Sequence, residues 1–161
     1  MKMKNMNATP DAQKTQYRKL ALMVIISFIA MFILMYSMVD KFANVIPNIN
    51  QFYMAGLMTA AMIIIEMALM GSMYMNKKRN ALIMVVSAVV LAACFLFIRI
   101  QTAVSDRQFL KAMIPHHAAA ILMAKEAKIS DPEIKKLIDD IITSQQREID
   151  FMKAKLKEKD N

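Results

Sequence analysis

Three long uncharged or nearly uncharged stretches dominate the pattern of hydrophobic and polar positions. Residues 20–39 and residues 81–98 contain no charged side chain, and residues 51–75 contain one, Glu66. At about 1.5 Å per residue, a helix of each stretch can cross a hydrocarbon core of roughly 30 Å. The pattern therefore predicts three transmembrane helices. The first exceeds the roughly 7–15 apolar residues of a signal peptide, so we expect it to remain as an anchor.

Beyond residue 98 the apolar positions recur three and four residues apart, which is the period of an amphipathic helix. The face predicted from this spacing contains Phe109, Met113, His116, Ala120, Met123 and Ala127. A second helix is predicted from the sequence Ser-Asp-Pro-Glu at 130–133, with Ser130 as the cap and Glu133 completing a capping box. Its apolar row is Ile134, Leu137 or Ile138, Ile141, Gln145, Glu148 or Ile149, Met152 and Leu156.

The predicted fold class is all-α, with three transmembrane helices followed by a helical hairpin at residues 99–161 that turns near residues 129–130. Two helices alone bury little apolar surface, so we expect the hairpin to self-associate into a four-helix bundle and the protein to be a homo-oligomer. No glycine or proline lies between Ile98 and Ile114, so we also expect that the third membrane helix can continue into the hairpin.

Composition supports a membrane protein, because 57% of the residues are hydrophobic and only two are glycine. The net charge of +8 raises the alternative of a nucleic-acid-binding protein. However, residues 99–161 carry twelve basic and ten acidic residues, a mixed surface without a stripe of positive charge to follow phosphates. We therefore expect a lipid bilayer, and no nucleic acid, among the partners.

The basic residues also predict an orientation. Residues 1–19 carry five basic residues against one acidic residue, and the 76–80 loop carries three basic residues. Short loops rich in Lys and Arg stay on the cytoplasmic side. We predict a multi-pass protein of a bacterial inner or plasma membrane, with 1–19 and 76–80 in the cytoplasm. The 40–50 loop and the hairpin then lie outside, in the periplasm or the extracellular space.

Both histidines of the chain lie side by side in the stretch "MIPHHAAAILMAKEA", residues 113–127. Met113 precedes His116 by three residues and His117 by four, so the thioether and the imidazoles can converge on one side of the helix. Pro115 removes a backbone hydrogen bond beside them and tends to bend the helix. Imidazole and thioether together form a ligand set that suits copper.

The predicted hairpin pairing adds polar groups at the same level. His116 and His117 are expected to lie opposite Ser144 and Gln145, and Met113 is expected near Arg147 and Glu148. The predicted metal ligands are Met113, His116, His117, Glu148 and Met152, with Gln145 as a further candidate. The bound ion is expected to be copper, as Cu(I) or Cu(II). The alternative is that one histidine faces solvent and the other is a hydrogen-bonded core residue.

The second apolar stretch is rich in methionine, with seven of the eighteen methionines between Met54 and Met75. Five residues of this stretch follow one another at i, i+4 spacing, and we call them the methionine track: Met54, Met58, Met62, Glu66 and Met70. An ionisable residue at membrane depth is costly and usually functional, which makes Glu66 a candidate for handling soft metal ions together with the methionines. Packing of the methionines in a helix bundle is the alternative.

The hairpin sequence resembles the bacterial family named domain of unknown function 305. The motifs that carry the resemblance are Asp106 and Phe109, Met113 with His116 and His117, and Gln146, Glu148, Ile149 and Met152. They cover about the last 57 residues. The resemblance implies a ferritin-like helical bundle outside the cytoplasm and, in some members, copper binding. The family's common His-His-Gln is His-His-Ala here, so any contribution from that glutamine is missing at Ala118.

Three functions remain open. The leading hypothesis is a membrane-anchored copper-binding protein that sequesters copper, hands it over or confers tolerance. The second is a subunit of a metal transporter that uses the methionine track, and the third is a structural oligomerisation module without metal. No phosphate loop, nucleophile motif or zinc-protease motif indicates an enzyme. Cys94, within the third apolar stretch, is expected to be a small packing residue.

Overall fold

The computed structural model describes residues 10–159, and every regular element in that part of the chain is a helix. The α-helices are α1 (Pro10–Leu34), α2 (Ile49–Met70), α3 (Lys77–Arg99), α4 (Asp106–Glu126) and α5 (Pro132–Glu158). Short 3₁₀ helices lie at Met35–Met38, Phe42–Asn44 and Gly71–Met73. The prediction of an all-α fold is confirmed. The first nine residues of the predicted basic tail and residues 160–161 lie outside the described residues.

Helices α1 to α3 supply segments that are long and apolar enough to cross a membrane. These segments are Gln13–Met38, Ile49–Met73 and Lys77–Arg99. The chain itself buries little of them, since only 6% of the most apolar window is buried in the first and in the third segment. A continuous apolar surface of this kind is unfavourable in water and compatible with lipid.

The chain divides into two compact units, and the first combines residues up to Met31 with Tyr53–Arg99. The buried residues of α2 in this unit are Tyr53, Ala55, Thr59, Ala60 and Met67. A Cβ atom added to Gly56 would lie 3.0 Å from the Sγ atom of Cys94 on α3, so the absence of a side chain at Gly56 allows the two helices to approach closely. Cys94 belongs to this helix contact.

The second unit combines Phe32–Phe52, which joins α1 to α2, with the residues from Ile100 onward. Val39 and Ile46 pack against the core of the α4–α5 hairpin. The backbone N–H of Ile49 donates a hydrogen bond to Oε1 of Gln108 over 3.1 Å. The α1–α2 connection and the hairpin are therefore in contact.

The expectation that α3 continues into the hairpin is wrong. The chain leaves the helix after Arg99, and Gln101 and Ala103 adopt left-handed backbone angles, with φ of 52° and 57°. Ser105 then caps α4 by accepting a hydrogen bond from the backbone N–H of Gln108. Residues other than glycine rarely adopt left-handed angles, and a glycine is the usual sequence sign of a helix end of this kind. This segment has no glycine, so the sequence does not predict the break.

The start of α5 also differs from the prediction in one residue. The cap is Asp131, whose carboxylate accepts hydrogen bonds from the backbone N–H groups of Glu133 and Ile134 at 2.8 and 3.2 Å. Ser130 lies one position too early, because Pro132 is already the first helical residue. Helix α5 therefore begins within residues 130–133 as predicted, but its cap is Asp131 instead of Ser130.

The hairpin core lies on a different face of α4 from the predicted one. The core consists of Ile114, Ala118 and Ile121 from α4 and Ile149, Met152 and Leu156 from α5. Four members of the predicted α4 face are exposed instead, namely Phe109, His116, Met123 and Ala127. On α5 the predicted row is buried only in its second half, since Ile134 and Leu137 are exposed. The buried face of α4 is therefore rotated by about one residue, or 100°, from the predicted face.

Candidate metal site in the helical hairpin

His117 is the most constrained of the predicted ligands. It is 8% exposed, and both of its ring nitrogens meet oxygen atoms. Nδ1 lies 2.9 Å from the backbone carbonyl oxygen of Met113, one turn earlier on α4. Nε2 lies 2.7 Å from Oε2 of Glu148 on α5. Both ring nitrogens are therefore engaged, one by its own helix and one by α5.

His116, the neighbouring residue, has the opposite environment. Its side chain is exposed, and its ring centroid lies 6.2 Å from that of His117. Successive residues of a helix point about 100° apart, so one of two adjacent histidines can face the core while the other faces water. The pair therefore has one buried and one accessible imidazole.

Glu148 connects the buried histidine to solvent. Its side chain is 54% exposed although its Oε2 atom is bonded to His117. One turn earlier on α5, Oε1 of Gln145 is buried and has no hydrogen-bond partner in the described part of the chain. A buried acceptor without a donor is unfavourable, which leaves Gln145 able to accept a bond from a donor at this level of the hairpin.

The two predicted thioether ligands lie in packing positions. Met152 belongs to the buried core, and Met113 is partly buried against it. Met113 reaches the histidine ring through its backbone carbonyl, and the structure assigns its sulfur no polar role. The convergence of the Met113 thioether with the imidazoles stays a prediction, since the contact in the structure is made by the backbone carbonyl of Met113.

The hairpin pairing differs from the prediction by about one helical turn. His117 lies opposite Glu148 rather than opposite Ser144 and Gln145. The ion pair between Asp106 and Lys159, at 3.1 Å, has the same offset at the other end of the hairpin. The prediction centred the turn at residues 129–130 and paired residues at equal distances from it on the two helices. The five-residue connection between α4 and α5 instead allows one helix to slide along the other until the buried residues interdigitate.

The donor set fits a metal ion in part. Within residues 10–159, no group of three or more His, Cys, Asp and Glu side chains comes together as a site. The hairpin does bring one imidazole and one carboxylate into direct contact, with a second imidazole beside them. Closed protein sites for transition metals usually have about four ligands. A single chain therefore supplies part of a site.

The methionine track lies outside the buried face of α2. Met54, Met58 and Met70 are exposed, and Met62 and Glu66 are half-buried. The buried methionine of this helix is Met67, outside the track. The track therefore contributes little to packing within one chain.

Glu66 has a local partner near the end of α2. The hydroxyl of Tyr74 donates a hydrogen bond to Oε1 of Glu66 over 3.3 Å. The ring of Tyr74 in turn lies 5.4 Å from the ring of Tyr17 on α1. The carboxylate is thus held in a group of polar and aromatic residues beside the α2–α3 loop.

These features define a class of protein: an all-helical chain with three helices able to cross a membrane and a hairpin that joins its helices through a histidine–glutamate contact. The profile of the family described as domain of unknown function (DUF305) matches residues 65–156. The chain belongs to this family. The match begins in α2 and includes α3, so the family pattern is wider than the hairpin motifs alone.

The chain is also similar to the uncharacterized protein L153 of Acanthamoeba polyphaga mimivirus. The two are 40% identical over 144 residues, which cover 86% of this chain and 91% of that protein. A match of this length reaches into all three apolar helices and both helices of the hairpin. No solved structure matches the chain.

Proposed function

We propose that the protein is a membrane-anchored copper-binding protein whose hairpin binds the ion outside the cytoplasm, for sequestration or handover. The contact between Nε2 of His117 and Oε2 of Glu148 carries this proposal, because it places two metal-binding groups from different helices 2.7 Å apart. His116 adds a second, accessible imidazole. The three apolar helices supply the anchor.

The available donors favour the divalent ion. Imidazole nitrogen and carboxylate oxygen form the accessible set, while the sulfur atoms of Met113 and Met152 are engaged in packing. Among first-row divalent ions, affinity for nitrogen and oxygen ligands is highest for Cu²⁺, and thioether ligands favour Cu(I). The hairpin therefore binds Cu(II) in this proposal, and Met113 and Met152 shape the pocket behind the ligands.

Binding requires a small rearrangement. Nε2 of His117 can bind a metal only when its contact with Oε2 of Glu148 is released, because the ion needs the lone pair of that nitrogen. Glu148 is half exposed and can rotate so that its carboxylate also binds the ion. Because one chain supplies fewer ligands than a closed site needs, a second copy of the hairpin contributes the remaining ligands.

One observation favours the structural alternative, in which the histidines serve the fold without metal. His117 is buried, and both of its nitrogens already have partners in the described structure. Such a residue can act as a hydrogen-bonded link between α4 and α5. The alternative gives no role to the exposed His116.

A metal titration of the purified full chain separates the two functions. We expect Cu(II) to bind and to give an electron paramagnetic resonance spectrum with nitrogen couplings. Replacing His116 and His117 together by alanine should remove most of the binding, whereas Met123→Leu should leave it intact, since Met123 lies on a different, exposed part of α4. Equal copper affinity in the double variant and the wild type would leave the structural function as the better account.

A further inference from the structure

A groove lies at the base of the hairpin, where α4 begins and α5 ends. Its volume is about 570 Å³. The residues that matter to its chemistry are Gln101, Asp106, Phe109, Phe151, Lys155 and Lys159. The two phenylalanines are exposed, Phe151 by 61%. The groove therefore combines an aromatic surface with lysine side chains at its edge.

The groove lies beside the start of an apolar helix. Its lining residue Gln101 accepts a hydrogen bond from Nδ2 of Asn50 over 3.0 Å, and Asn50 is the second residue of α2. The segment that begins there, Ile49–Met73, is long and apolar enough to cross a membrane. If α2 spans the bilayer, the groove lies at the level of the lipid headgroups.

The charge of the hairpin is strongly divided along its length. Residues 99–111 and 151–159, which form the base, contain seven basic and two acidic residues. Residues 112–150 contain five basic and seven acidic residues. The ion pair of Asp106 with Lys159 shows that the two basic segments meet. The base is therefore positive, a charge that suits a surface next to lipid phosphates.

The lysines at the groove are available to an anion. Nζ of Lys159 lies 3.1 Å from Asp106, and Nζ of Lys155 lies 2.7 Å from Glu158 and 5.9 Å from the centre of the Phe151 ring. These ion pairs are exposed, and exposed ion pairs are weak, so a phosphate can replace the carboxylates. Lys155 meanwhile extends over the apolar Phe151 ring.

We propose that this groove binds the headgroup region of an anionic phospholipid, with the phosphate at Lys155 and Lys159 and the glycerol and first carbons against Phe109 and Phe151. The bound lipid fixes the base of the hairpin to the membrane surface. The inference rests on the membrane anchoring proposed above and does not depend on copper binding.

The chain contains no tryptophan, so a single introduced tryptophan reports its own surroundings. The test uses the full chain in vesicles of anionic phospholipid carrying bromine atoms near the top of the acyl chains, which quench nearby indole fluorescence. Phe151→Trp should lose fluorescence in brominated vesicles. Leu137→Trp is the matched control, because it lies on the same helix, is similarly exposed at 56%, and is about 20 Å away along the axis. It should not be quenched.

A charge comparison tests the phosphate contact. In a chain that carries Phe151→Trp, anionic brominated vesicles should quench the fluorescence more strongly than neutral ones. Adding Lys155→Gln and Lys159→Gln should abolish this difference. Lys153→Gln with Lys157→Gln removes the same charge from the same helix, but these lysines do not line the groove, so quenching should persist. Phe109→Trp, on the opposite wall, provides a second reporter if the first variant folds poorly.

Three outcomes would overturn the proposal. Equal quenching at 137 and 151 would mean that the whole hairpin lies on the lipid without a specific groove. No quenching at 151 and 109, with protection from an aqueous quencher, would mean that a second copy covers the groove. Release of the chain from vesicles by alkaline carbonate would overturn the anchoring as well, whereas a copper titration of the same samples tests the metal site separately.

Discussion

At the scale of single residues, the hairpin depends on one histidine more than on the other. His117 is buried and both of its ring nitrogens contact oxygen atoms, so its replacement breaks the link to Glu148 on α5 and leaves a space in the interior of the hairpin. His116 is exposed and can be replaced at little cost to the fold. Adjacent residues of the same type thus have separable roles.

The stability of the two alanine variants should differ accordingly. We expect His117→Ala to lower the free energy of unfolding by about 1–3 kcal/mol, because it removes a hydrogen bond to a charged group and the packing of a buried ring. His116→Ala should change it by less than about 0.5 kcal/mol. Thermal unfolding of the metal-free full chain, followed by circular dichroism, measures both. Equal destabilisation would show that His117 does not link the helices.

The proposed ligand role of Glu148 gives a second prediction at this scale. Glu148→Gln keeps the size and a hydrogen-bond acceptor but removes the carboxylate, which is the better copper ligand. We expect Cu(II) affinity to fall by about tenfold or more, measured by competition with a chelator of known affinity. Glu133→Gln, an exposed glutamate in the first turn of the same helix, is the control and should bind as the wild type does. Unchanged affinity in Glu148→Gln would exclude Glu148 from the ligands.

At the scale of the helices, α4 and α5 cover each other incompletely. The buried core uses the second half of α5, and the apolar residues near the turn remain exposed, among them Met123, Ile134 and Leu137. Adjacent exposed apolar residues at one end of a hairpin are typical of a surface that contacts another chain. The predicted association of two hairpins into a four-helix bundle therefore has a candidate surface near the turn.

We predict that Ile134→Asn with Leu137→Asn reduces self-association of the full chain in detergent. Light scattering coupled to size-exclusion chromatography gives the mass of the protein in solution. Lys135→Asn with Lys136→Asn changes two neighbouring exposed residues of α5 without removing apolar surface, so its mass should equal that of the wild type. If the apolar variant has the mass of the wild type, another surface joins the copies.

At the scale of the whole molecule, the hairpin is in contact with the α1–α2 connection. Which side of the membrane the two occupy is predicted from the basic loops. We predict that a reporter active only outside the cytoplasm, fused after Asn161, is active, because the basic residues before residue 20 and in the 76–80 loop retain those segments inside. Activity of a cytoplasm-only reporter at the same position would reverse the orientation and remove the external copper site with it.

The methionine track gives a prediction about transport. If copies of the chain join so that the exposed Met54, Met58 and Met70 line a path, Glu66→Ala or a Met58→Leu and Met62→Leu double change should abolish metal flux into vesicles while copper binding by the hairpin persists. Met67→Leu, on the buried face of α2, is the control and should leave flux unchanged. An absence of flux in the wild type would remove the transporter alternative.

Much of this protein was predictable from local sequence, because each feature depends on residues close together in the chain. The length of an apolar run decides whether a helix can cross a membrane, and a period of 3.6 residues identifies an amphipathic helix. The all-α fold and the start of α5 near residues 130–133 follow from such local rules. The motifs around His116 and His117 were likewise sufficient to indicate the family.

The tertiary structure decided which surfaces face each other. Helix α4 carries apolar residues on two adjacent faces, and only packing against α5 and the 39–46 segment selected the face with Ile114 and Ile121. Spacing along one helix cannot choose between two similar faces, because the choice depends on the shape of the partner. The same holds for the pairing of His117 with Glu148 and for the basic base of the hairpin. The residues concerned are distant in sequence, and only antiparallel packing brings them together.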